Sequence, residues 1–304
     1  MIYYSIIIPH KNIPHLLQKC LESIPRREDV QIIVVDDNSD ADIVDFKNFP
    51  GLNDPFVEVI FGKNENGRKG AGYARNLGLE RANGKWLIFA DADDFFMPCF
   101  NEVLNKYKDD ENDIVFFKFT SITSETIKPV FRHLTINFLL EQIQKNNDWD
   151  LIYHFHAPWG KFLKRNIIKN NNILFSEIQW GNDSFFIVKT MLISISKKIS
   201  DDILYCITTR EGSLTNQKSL YSSLCRFNEI YRVTVFLKKN GKKFLLSYYL
   251  CNLWLSVSNF SIMYSIFLIP KMVKMGLIRF VASHIIKKDI YGIMKVFKKN
   301  LYEN

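Results

Sequence analysis

Apolar residues in the amino-terminal hundred positions fall in short continuous runs, separated by polar stretches with helical spacing. The predicted strands are YSIIIP (4–9), QIIVVDDNSD (31–40), FVEVIFG (56–62) and KWLIFADADD (85–94). The longest of these runs do not alternate with polar residues, which indicates parallel strands covered on both faces. Strands that alternate with helices over this length predict an α/β sheet with right-handed crossovers.

The segments between these strands predict helices. The first has apolar residues at helical spacing, namely Leu16, Leu17, Leu21 and Ile24. The second, GAGYARNLGLERANG (70–84), is expected to end at Gly84 and to face the sheet with Ala74, Leu77, Leu79 and Ala82. Farther along, DIVFFKFTSIT (113–123) predicts a strand and GNDSFFIVKTMLISI (181–195) a helix with a polar start.

Residues 244–269 carry no charge over 26 positions, which is long enough to cross a bilayer. Serines and asparagines interrupt this stretch, and lysines flank it on both sides, so it shows no inside–outside bias. The pattern favours buried or interfacial helices over a membrane span, and the span stays as an alternative.

Composition places the chain among globular proteins of a reducing compartment. Its 304 residues are 47% hydrophobic and 14% aromatic, which is enough for a substantial core. The five cysteines are scattered and never spaced C-x-x-C, which indicates free thiols. The start, MIYYSIIIP, has no charged region ahead of its apolar run and predicts a strand where a signal peptide would otherwise stand. We therefore expect a cytoplasmic protein.

Charge is distributed unevenly. Residues 231–304 hold 13 Lys and Arg against two acids, a net charge of +11, whereas the whole chain carries +8 and residues 1–230 therefore −3. Nucleic-acid grooves spread basic residues over a face with interleaved aromatics, so we expect no nucleic-acid partner. A basic carboxy-terminal region suits peripheral binding to an anionic membrane surface, at the inner face of the cytoplasmic membrane. Pairing of this region with the acidic body is the alternative.

Acids stand at the carboxyl ends of two predicted strands, Asp36-Asp37 after one and Asp91, Asp93 and Asp94 after the other. In an open α/β sheet these ends share one rim, where ligands bind. Closely spaced carboxylates at the end of a buried strand need a cation. Carboxylates suit Mg²⁺ or Mn²⁺, and Mg²⁺ takes further oxygens from substrate phosphates. The alternative is that the acids cap a helix beginning near Phe95.

Four segments together resemble the inverting family 2 glycosyltransferases of GT-A fold, of the bacterial envelope or capsule polysaccharide type. They are SIIIPHKN, QIIVVDDNSD, GAGYARNLGLERANGKWLIFADADD and EIQWGND, in the family's order and spacing. The resemblance implies a Rossmann-like nucleotide-diphospho-sugar transferase sheet with helices on both faces. It also implies a nucleotide-sugar-binding half (1–125), an acceptor-binding half (126–225) and a basic, mainly helical carboxy-terminal region (226–304).

By this resemblance the donor nucleotide, most often UDP, contacts several positions. Asp37 would accept hydrogen bonds from the base, supported by Asp36, and Asp93 would bind the Mn²⁺ or Mg²⁺ that bridges the phosphates. Asp91 would hold the ribose or the sugar, and Arg75 would face the phosphates or pair with a carboxylate. The remaining implied nucleotide-sugar contacts are Pro9, His10, Asn12 and Ala92; for His10 a satisfied side chain at the strand end is equally expected.

The resemblance makes Asp183 the general base that takes the proton of the acceptor hydroxyl. The family has a Glu-Asp pair here, and this chain has Asn182-Asp183. Losing a like charge should leave the Asp183 pKa lower than in a paired acid. A first-turn acid favoured by the helix dipole is the alternative for Asp183. The segment PWGKFLKRNII (158–168), with Trp159, is expected to shape the acceptor pocket together with Asn182.

The resemblance thus implies a metal-dependent inverting transferase that moves one sugar from a nucleotide-sugar to a glycan or lipid-linked acceptor. A Q-x-x-R-W element, usual in processive polysaccharide synthases, does not follow Asp183. Two alternatives remain: a nucleotidyltransferase that makes a sugar nucleotide, although PHKNIPH stands where its glycine-rich loop would be, and a catalytically inactive scaffold that binds a nucleotide-sugar.

Overall fold

The apolar runs of the amino-terminal part form a sheet, as predicted. The computed structural model describes residues 1–63, 70–210, 218–242 and 247–277. The chain divides into two units, Met1–Gln217 and Lys218–Asn304. The further division near residue 125 that the resemblance implies stays a prediction.

Eight strands form one mixed sheet within the described residues of the first unit. Its spatial order is β3-β2-β1-β4-β7-β6-β8-β5. Strands β1, β2, β3 and β4 run parallel, β6 pairs parallel with β8, and the remaining pairs are antiparallel. The strands are β1 (Tyr4–His10), β2 (Val30–Asp36), β3 (Val57–Phe61), β4 (Trp86–Phe89), β5 (Phe95–Phe96), β6 (Ile114–Thr123), β7 (Lys161–Lys164) and β8 (Lys197–Thr209).

The central strands are buried on both faces, which explains why their apolar runs do not alternate. Every residue of β1 and every residue of β4 is buried, and so is nearly all of β2. Six α-helices lie in the described part of this unit. They are α1 (Pro14–Glu22), α2 (Ala71–Arg81), α3 (Phe100–Tyr107), α4 (Leu134–Asn146), α5 (Arg165–Asn170) and α6 (Ser184–Ile193). The α/β fold class predicted from the sequence is confirmed.

The buried face of α2 differs from the prediction. Leu77 and Leu79 are only half-buried, whereas the polar side chains of Arg75 and Asn76 are buried. The reason is tertiary: Asn76 exchanges hydrogen bonds with the backbone of Phe175 (Nδ2 to O 3.1 Å, N to Oδ1 2.9 Å). Helix α2 therefore packs against a loop from far along the chain as well as against the sheet.

The helix-capping alternative for the acidic stretch is wrong. After Asp94 the chain forms β5, and the next helix, α3, begins only at Phe100 with no side-chain cap at its start. The acids instead form a turn between β4 and β5, with the Asp94 N–H donating to the Asp91 carbonyl at 3.0 Å.

The second unit is helical where it is described. Its helices are α7 (Leu220–Lys239), α8 (Ser247–Phe260) and α9 (Ile262–Lys274). The uncharged stretch is thus broken at Ser261, whose side chain accepts a hydrogen bond from the Tyr264 N–H and caps α9. Among the described residues, no helix combines the length and the hydropathy that a membrane crossing requires.

Candidate functional site

The acidic segments lie at one edge of the sheet, because β2, β1 and β4 are neighbouring parallel strands. His10 ends β1 directly opposite Asp36, which ends β2. Beyond the strands, the Asp37 N–H donates to the His10 carbonyl (2.8 Å) and the Ala90 N–H to the Ile7 carbonyl (3.1 Å). The rim predicted from the sequence is therefore present.

His10 and Asp36 form the floor of this rim. His10 is 1% exposed; its Nδ1 lies 2.8 Å from Asp36 Oδ1, and its Nε2 accepts from the Ile13 N–H at 3.1 Å. Burial alone would raise the pKa of Asp36, but hydrogen bonds from His10 and Ser39 outweigh it and hold that pKa below its ordinary value. Both ring nitrogens of His10 are satisfied inside the protein, so His10 orients Asp36 and the loop that follows β1.

Asp37 and Asn12 lie just outside this floor. Asp37 is 5% exposed and accepts a hydrogen bond from the Gly70 N–H at 2.8 Å. Burial raises its pKa despite this bond and the nearby Lys11 ammonium. Asn12 makes two hydrogen bonds to Asp40, through its side-chain nitrogen (2.7 Å) and oxygen (2.8 Å), and so joins the loops after β1 and β2. Pro9 lies within β1 and is buried.

Two guanidinium groups supply the positive charge that the acidic turn needs. Arg75 Nη2 lies 2.6 Å from Asp91 Oδ1, and Arg210 Nε lies 2.9 Å from Asp93 Oδ2. For Arg75, the structure thus shows the ion pair that was one of the two expected roles. Burial, and next to it the Asp91 carboxylate, raises the pKa of Asp93 against the lowering effect of Arg210. Ala92, between the two acids, is buried.

Asp94 has a structural part in the same turn. It is 4% exposed, and its Oδ1 accepts from the Thr208 N–H at 2.7 Å, while the Thr208 hydroxyl donates to the Asp93 carbonyl at 2.7 Å. The Asp91 N–H donates to the Tyr205 hydroxyl at 2.8 Å. Burial, with the neighbouring acids, raises the pKa of Asp94 well above its ordinary value. The end of β8 thus fixes the backbone that presents Asp91 and Asp93.

Arg75 also joins the acidic turn to the segment of the predicted base. Its Nη1 donates to Asn182 Oδ1 at 2.9 Å, while Nη2 holds Asp91. Its Nε is buried and has no hydrogen-bond partner among the described residues, and the guanidinium lies 5.4 Å from the centre of the Phe175 ring. A glutamate at position 182 would form a salt bridge with this guanidinium. Asn182 instead accepts a neutral hydrogen bond, so the site carries one negative charge fewer.

The segment 175–182 is held tightly against the start of α2. A Cβ on Gly72 would lie 2.1 Å from the Ser176 carbonyl oxygen and 3.1 Å from Asn182 Cβ. Only glycine allows this close approach. Together with the Asn76 bonds to Phe175, it sets the position from which helix α6 begins.

Asp183 is the N-cap residue of α6, but its side chain makes no capping hydrogen bond to the first turn. The half-buried carboxylate of Asp183 therefore does not cap the helix. Burial raises the pKa of Asp183, and the Arg75 guanidinium opposes that rise. The pKa lies above its ordinary value, as suits a base that must take a proton.

The predicted acceptor side is an aromatic cluster. Trp159 is 8% exposed, and its ring lies nearly parallel to that of Tyr205 with ring centres 5.9 Å apart. Lys161 is fully buried; its Nζ donates to the carbonyls of Ala157 (2.6 Å) and Trp159 (3.4 Å) and lies 3.0 Å from the centre of the Phe155 ring. Burial lowers the Lys161 pKa well below its ordinary value.

The carboxylates of the rim fit a divalent cation that is also coordinated by the phosphates of a bound substrate. Within the described ranges, no three metal-binding side chains converge on one point. Asp91 and Asp93 are both partly exposed, and Asp93 has a raised pKa that a nearby cation would relieve. One or two carboxylates plus substrate phosphates is the usual Mg²⁺ arrangement in phosphate-transfer sites, and Mn²⁺ favours the same oxygen ligands. The residues thus suit a metal bound together with a diphosphate.

A rim of this kind, at the carboxyl ends of parallel strands, agrees with the sequence comparison. The model for "Glycosyl transferase family 2" matches residues 5–171, more than half of the chain. The chain belongs to glycosyl transferase family 2.

Relatives of this family member include further glycosyltransferases. The uncharacterized glycosyltransferase EpsJ of Bacillus subtilis is 27% identical over 221 residues, covering 69% of this chain and 62% of EpsJ. The poly(ribitol-phosphate) beta-N-acetylglucosaminyltransferase TarS of Staphylococcus aureus is 24% identical over 248 residues, covering 77% of this chain and 40% of TarS. The chain thus spans less than two thirds of the length of either relative.

Solved structures confirm the GT-A fold. S. aureus TarS 1-349 in complex with UDP-GlcNAc superposes with a TM-score of 0.62 at 20% identity, covering 86% of this chain and 74% of that one. The mannosyltransferase PcManGT from Pyrobaculum calidifontis, in complex with GDP-Man and Mn²⁺, has a TM-score of 0.53 at 13% identity and covers 93% of this chain and 86% of that one. The likeness shows the fold of this family member.

Three side chains near the rim were not found from the sequence: Tyr205, Thr208 and Arg210. They lie at the end of β8, more than a hundred positions after the acidic turn that they contact. The only signal in the sequence was the mainly apolar run ILYCITT (203–209), which is followed by Arg210. Lys161 lies in the predicted acceptor segment, but nothing in the sequence indicates that its charge is buried.

Proposed function

We propose that this family 2 member is an inverting glycosyltransferase that moves a single sugar from a nucleotide-sugar to a glycan or lipid-linked acceptor of a surface polysaccharide. By likeness to TarS, the proposed donor is a UDP-sugar. The poly(ribitol-phosphate) transferase named among its relatives, and the UDP-GlcNAc complex of TarS, support this donor and acceptor class.

The observation that carries the proposal is the Arg75 bridge. One guanidinium holds both Asp91, in the acidic turn at the sheet edge, and Asn182, the neighbour of Asp183. The acidic turn, through Asp91, and the segment that carries Asp183, through Asn182, are therefore tied to the same buried cation. A transferase needs this juxtaposition, because the attacking hydroxyl and the leaving group lie on opposite sides of one sugar carbon.

On the donor side, Asp37 is the residue proposed to accept hydrogen bonds from the nucleobase, with Asp36 and His10 holding the edge in place. Asp93 is the proposed protein ligand of Mn²⁺ or Mg²⁺, with Asp91 directed at the ribose or sugar. The metal, when bound, would neutralise charge that develops on the leaving diphosphate. PcManGT, which shares the fold, was solved with Mn²⁺.

On the acceptor side, Asp183 is the proposed general base. Its carboxylate takes the proton of the acceptor hydroxyl while that oxygen forms a bond to the anomeric carbon. The bond from this carbon to the diphosphate oxygen breaks on the opposite face, so the nucleoside diphosphate leaves with the electron pair and the configuration inverts. The Arg75 guanidinium opposes the rise in the Asp183 pKa that burial causes. Asn182 and Trp159 are the proposed acceptor-side wall.

Association with an anionic membrane surface is part of the proposal. The carboxy-terminal region has a net charge of +11 over residues 231–304. Each Lys or Arg near such a surface contributes about 1 kcal/mol, so several together suffice for peripheral binding. A lipid-linked acceptor would then be met at that surface.

Donor hydrolysis and nucleotide binding test the proposal in one experiment. A panel of nucleotide-sugars is screened with Mn²⁺ by thermal shift, since a ligand that binds the folded state raises the melting temperature. The stabilising donor is then turned over by wild type, Asp93→Asn and Asp183→Asn. We expect about a hundredfold loss or more in either variant, with donor binding kept in Asp183→Asn.

Two outcomes would redirect the assignment. Binding of a nucleotide-sugar without turnover on any glycan or lipid-linked acceptor would favour a scaffold. Release of pyrophosphate from a nucleoside triphosphate and a sugar phosphate would favour a nucleotidyltransferase.

A further inference from the structure

Helix α9 buries one side and exposes an apolar surface on the other. Ser265, Leu268 and Met272 are buried, and Trp254 of α8 donates its indole N–H to the Ser265 carbonyl at 3.0 Å, so α8 covers this side. The opposite side is called the α9 outer face. Its exposed residues are Ile262, Met263, Tyr264, Ile266, Phe267 and Val273.

The α9 outer face is unusual for a surface helix. Met263 is 62%, Ile266 55% and Phe267 71% exposed, and no charged residue occurs from Ile262 to Ile269. A helix at the surface of a globular protein normally presents polar and charged residues to water. Exposed apolar patches of this kind mark surfaces that interact with a membrane or with another protein.

Lysines surround one end of this face. Lys271 and Lys274 lie in the last turn of α9, and Lys238 Nζ donates to the Lys274 carbonyl at 3.1 Å, which brings the basic end of α7 beside them. Within the described part of the second unit, the acidic side chains amount to Glu229, which is buried 3.6 Å from Arg232. The surroundings of the face are therefore strongly positive.

We propose that the α9 outer face is a membrane-docking surface that lies in the interface of an anionic phospholipid bilayer. Its apolar side chains would enter the boundary between headgroups and acyl chains, and the adjoining lysines would pair with lipid phosphates, as in amphipathic interfacial helices. Charge complementarity selects this partner over a second copy of the chain, because two faces bordered by lysines repel each other. The inference gives the proposed membrane association a defined surface and does not depend on catalysis.

Vesicle co-sedimentation of the full chain tests this surface. Wild type is compared with the double variant Ile266→Ser/Phe267→Ser on phosphatidylcholine vesicles with and without phosphatidylglycerol. We expect binding only to the anionic vesicles, weakened about tenfold or more by the double variant and also weakened by salt. The matched control is Phe131→Ser/Phe138→Ser, which removes two exposed phenylalanines of the first unit (78% and 61% exposed) and should bind as wild type does.

A charge variant and two control measurements complete the test. Lys271→Glu/Lys274→Glu should lose the preference for phosphatidylglycerol. The proposal is overturned if wild type does not bind anionic vesicles or if the serine variant binds them equally well. It is also overturned if, without lipid, light scattering shows a wild-type dimer and a monomeric serine variant. Donor hydrolysis without vesicles, together with the melting temperature, should be the same in wild type and the serine variant, so failure here is separate from failure of the transferase proposal.

Discussion

The side chain of Arg210 forms an ion pair with Asp93, the residue proposed to bind the metal, with Nε 2.9 Å from Oδ2. Both side chains are about a quarter exposed, so water partly screens the pair. A divalent cation bound to the Asp93 carboxylate would lie near this guanidinium, and the two positive charges would repel each other. Metal binding and the Arg210 contact are therefore expected to compete.

Replacing Arg210 should strengthen the binding of Mn²⁺ alone. Partly exposed ion pairs contribute about 0.2–1 kcal/mol, so Arg210→Ala is expected to tighten Mn²⁺ binding by about 1.4- to 5-fold in calorimetric titration. Arg81→Ala is the control, since Arg81 lies 3.6 Å from Glu58 on an exposed part of the same unit. Equal or weaker Mn²⁺ binding by Arg210→Ala would show that Asp93 does not receive the ion.

Asn182→Glu should move the acid limb of the pH–rate profile. The base must be ionised, so the rate falls as pH drops through the pKa of Asp183, which burial already raises. A carboxylate at position 182 places a second negative charge beside Asp183, and Arg75 partly neutralises that charge. We therefore expect the acid limb to move up by about half to one pH unit.

Asn182→Gln is the matched control for that profile, because it keeps an acceptor for Arg75 without adding charge. Its acid limb should coincide with that of wild type, measured as kcat/KM on the same donor. A limb that does not respond to Asn182→Glu would mean that a group other than Asp183 controls the rate.

Gly72→Ala should disturb the site through packing. The new methyl group would lie 2.1 Å from the Ser176 carbonyl, so the loop carrying Asn182 must move. Overpacking of this kind costs about 1–3 kcal/mol of stability, and we expect turnover to fall as well. Chemical denaturation and donor turnover are the two measurements.

Gly78→Ala separates these effects on the same helix. Its Cβ would lie 2.5 Å from Ile7 Cγ2, in the contact with the sheet and away from the 175–182 segment. This variant should lose stability while keeping turnover per folded molecule. Equal losses of turnover in both glycine variants would contradict the inference that the 175–182 loop positions the base.

Lys161→Met should change how stability depends on pH. The folded-state pKa of Lys161 is lowered, so between that pKa and its ordinary value of 10.5 the unfolded chain binds more protons than the folded one. Wild-type stability therefore gains up to about 1.4 kcal/mol per pH unit from this residue as pH rises through that window.

The methionine variant lacks this contribution, so the difference in unfolding free energy between the two proteins should drift in favour of wild type with rising pH. Lys164→Met, on the same strand but only half-buried, is the control for the loss of a lysine side chain. A flat difference for Lys161→Met would mean that the buried lysine keeps its ordinary pKa.

The sequence predicted much of the first half because strand burial leaves a local pattern. Continuous apolar runs located β1, β2, β3, β4 and β6, and parallel strands bring their carboxyl ends to one edge. The pattern alone could thus assign five acids to one rim, namely Asp36, Asp37, Asp91, Asp93 and Asp94. Helix α2 was located as well, yet its buried face was partly wrong because Asn76 and Arg75 contact a loop a hundred residues away.

By itself the sequence determined the family, the sheet edge and the acids on it, since these depend on short segments in a fixed order. The tertiary structure decided which cations meet those acids: Arg75 pairs with Asp91 and reaches Asn182, and Arg210 pairs with Asp93. It also decided that Asp94 is buried and holds the end of β8 through a hydrogen bond, and that α9 exposes apolar residues on its outer face. Such pairings lie between residues far apart in the chain, where no local periodicity records which side chains come into contact.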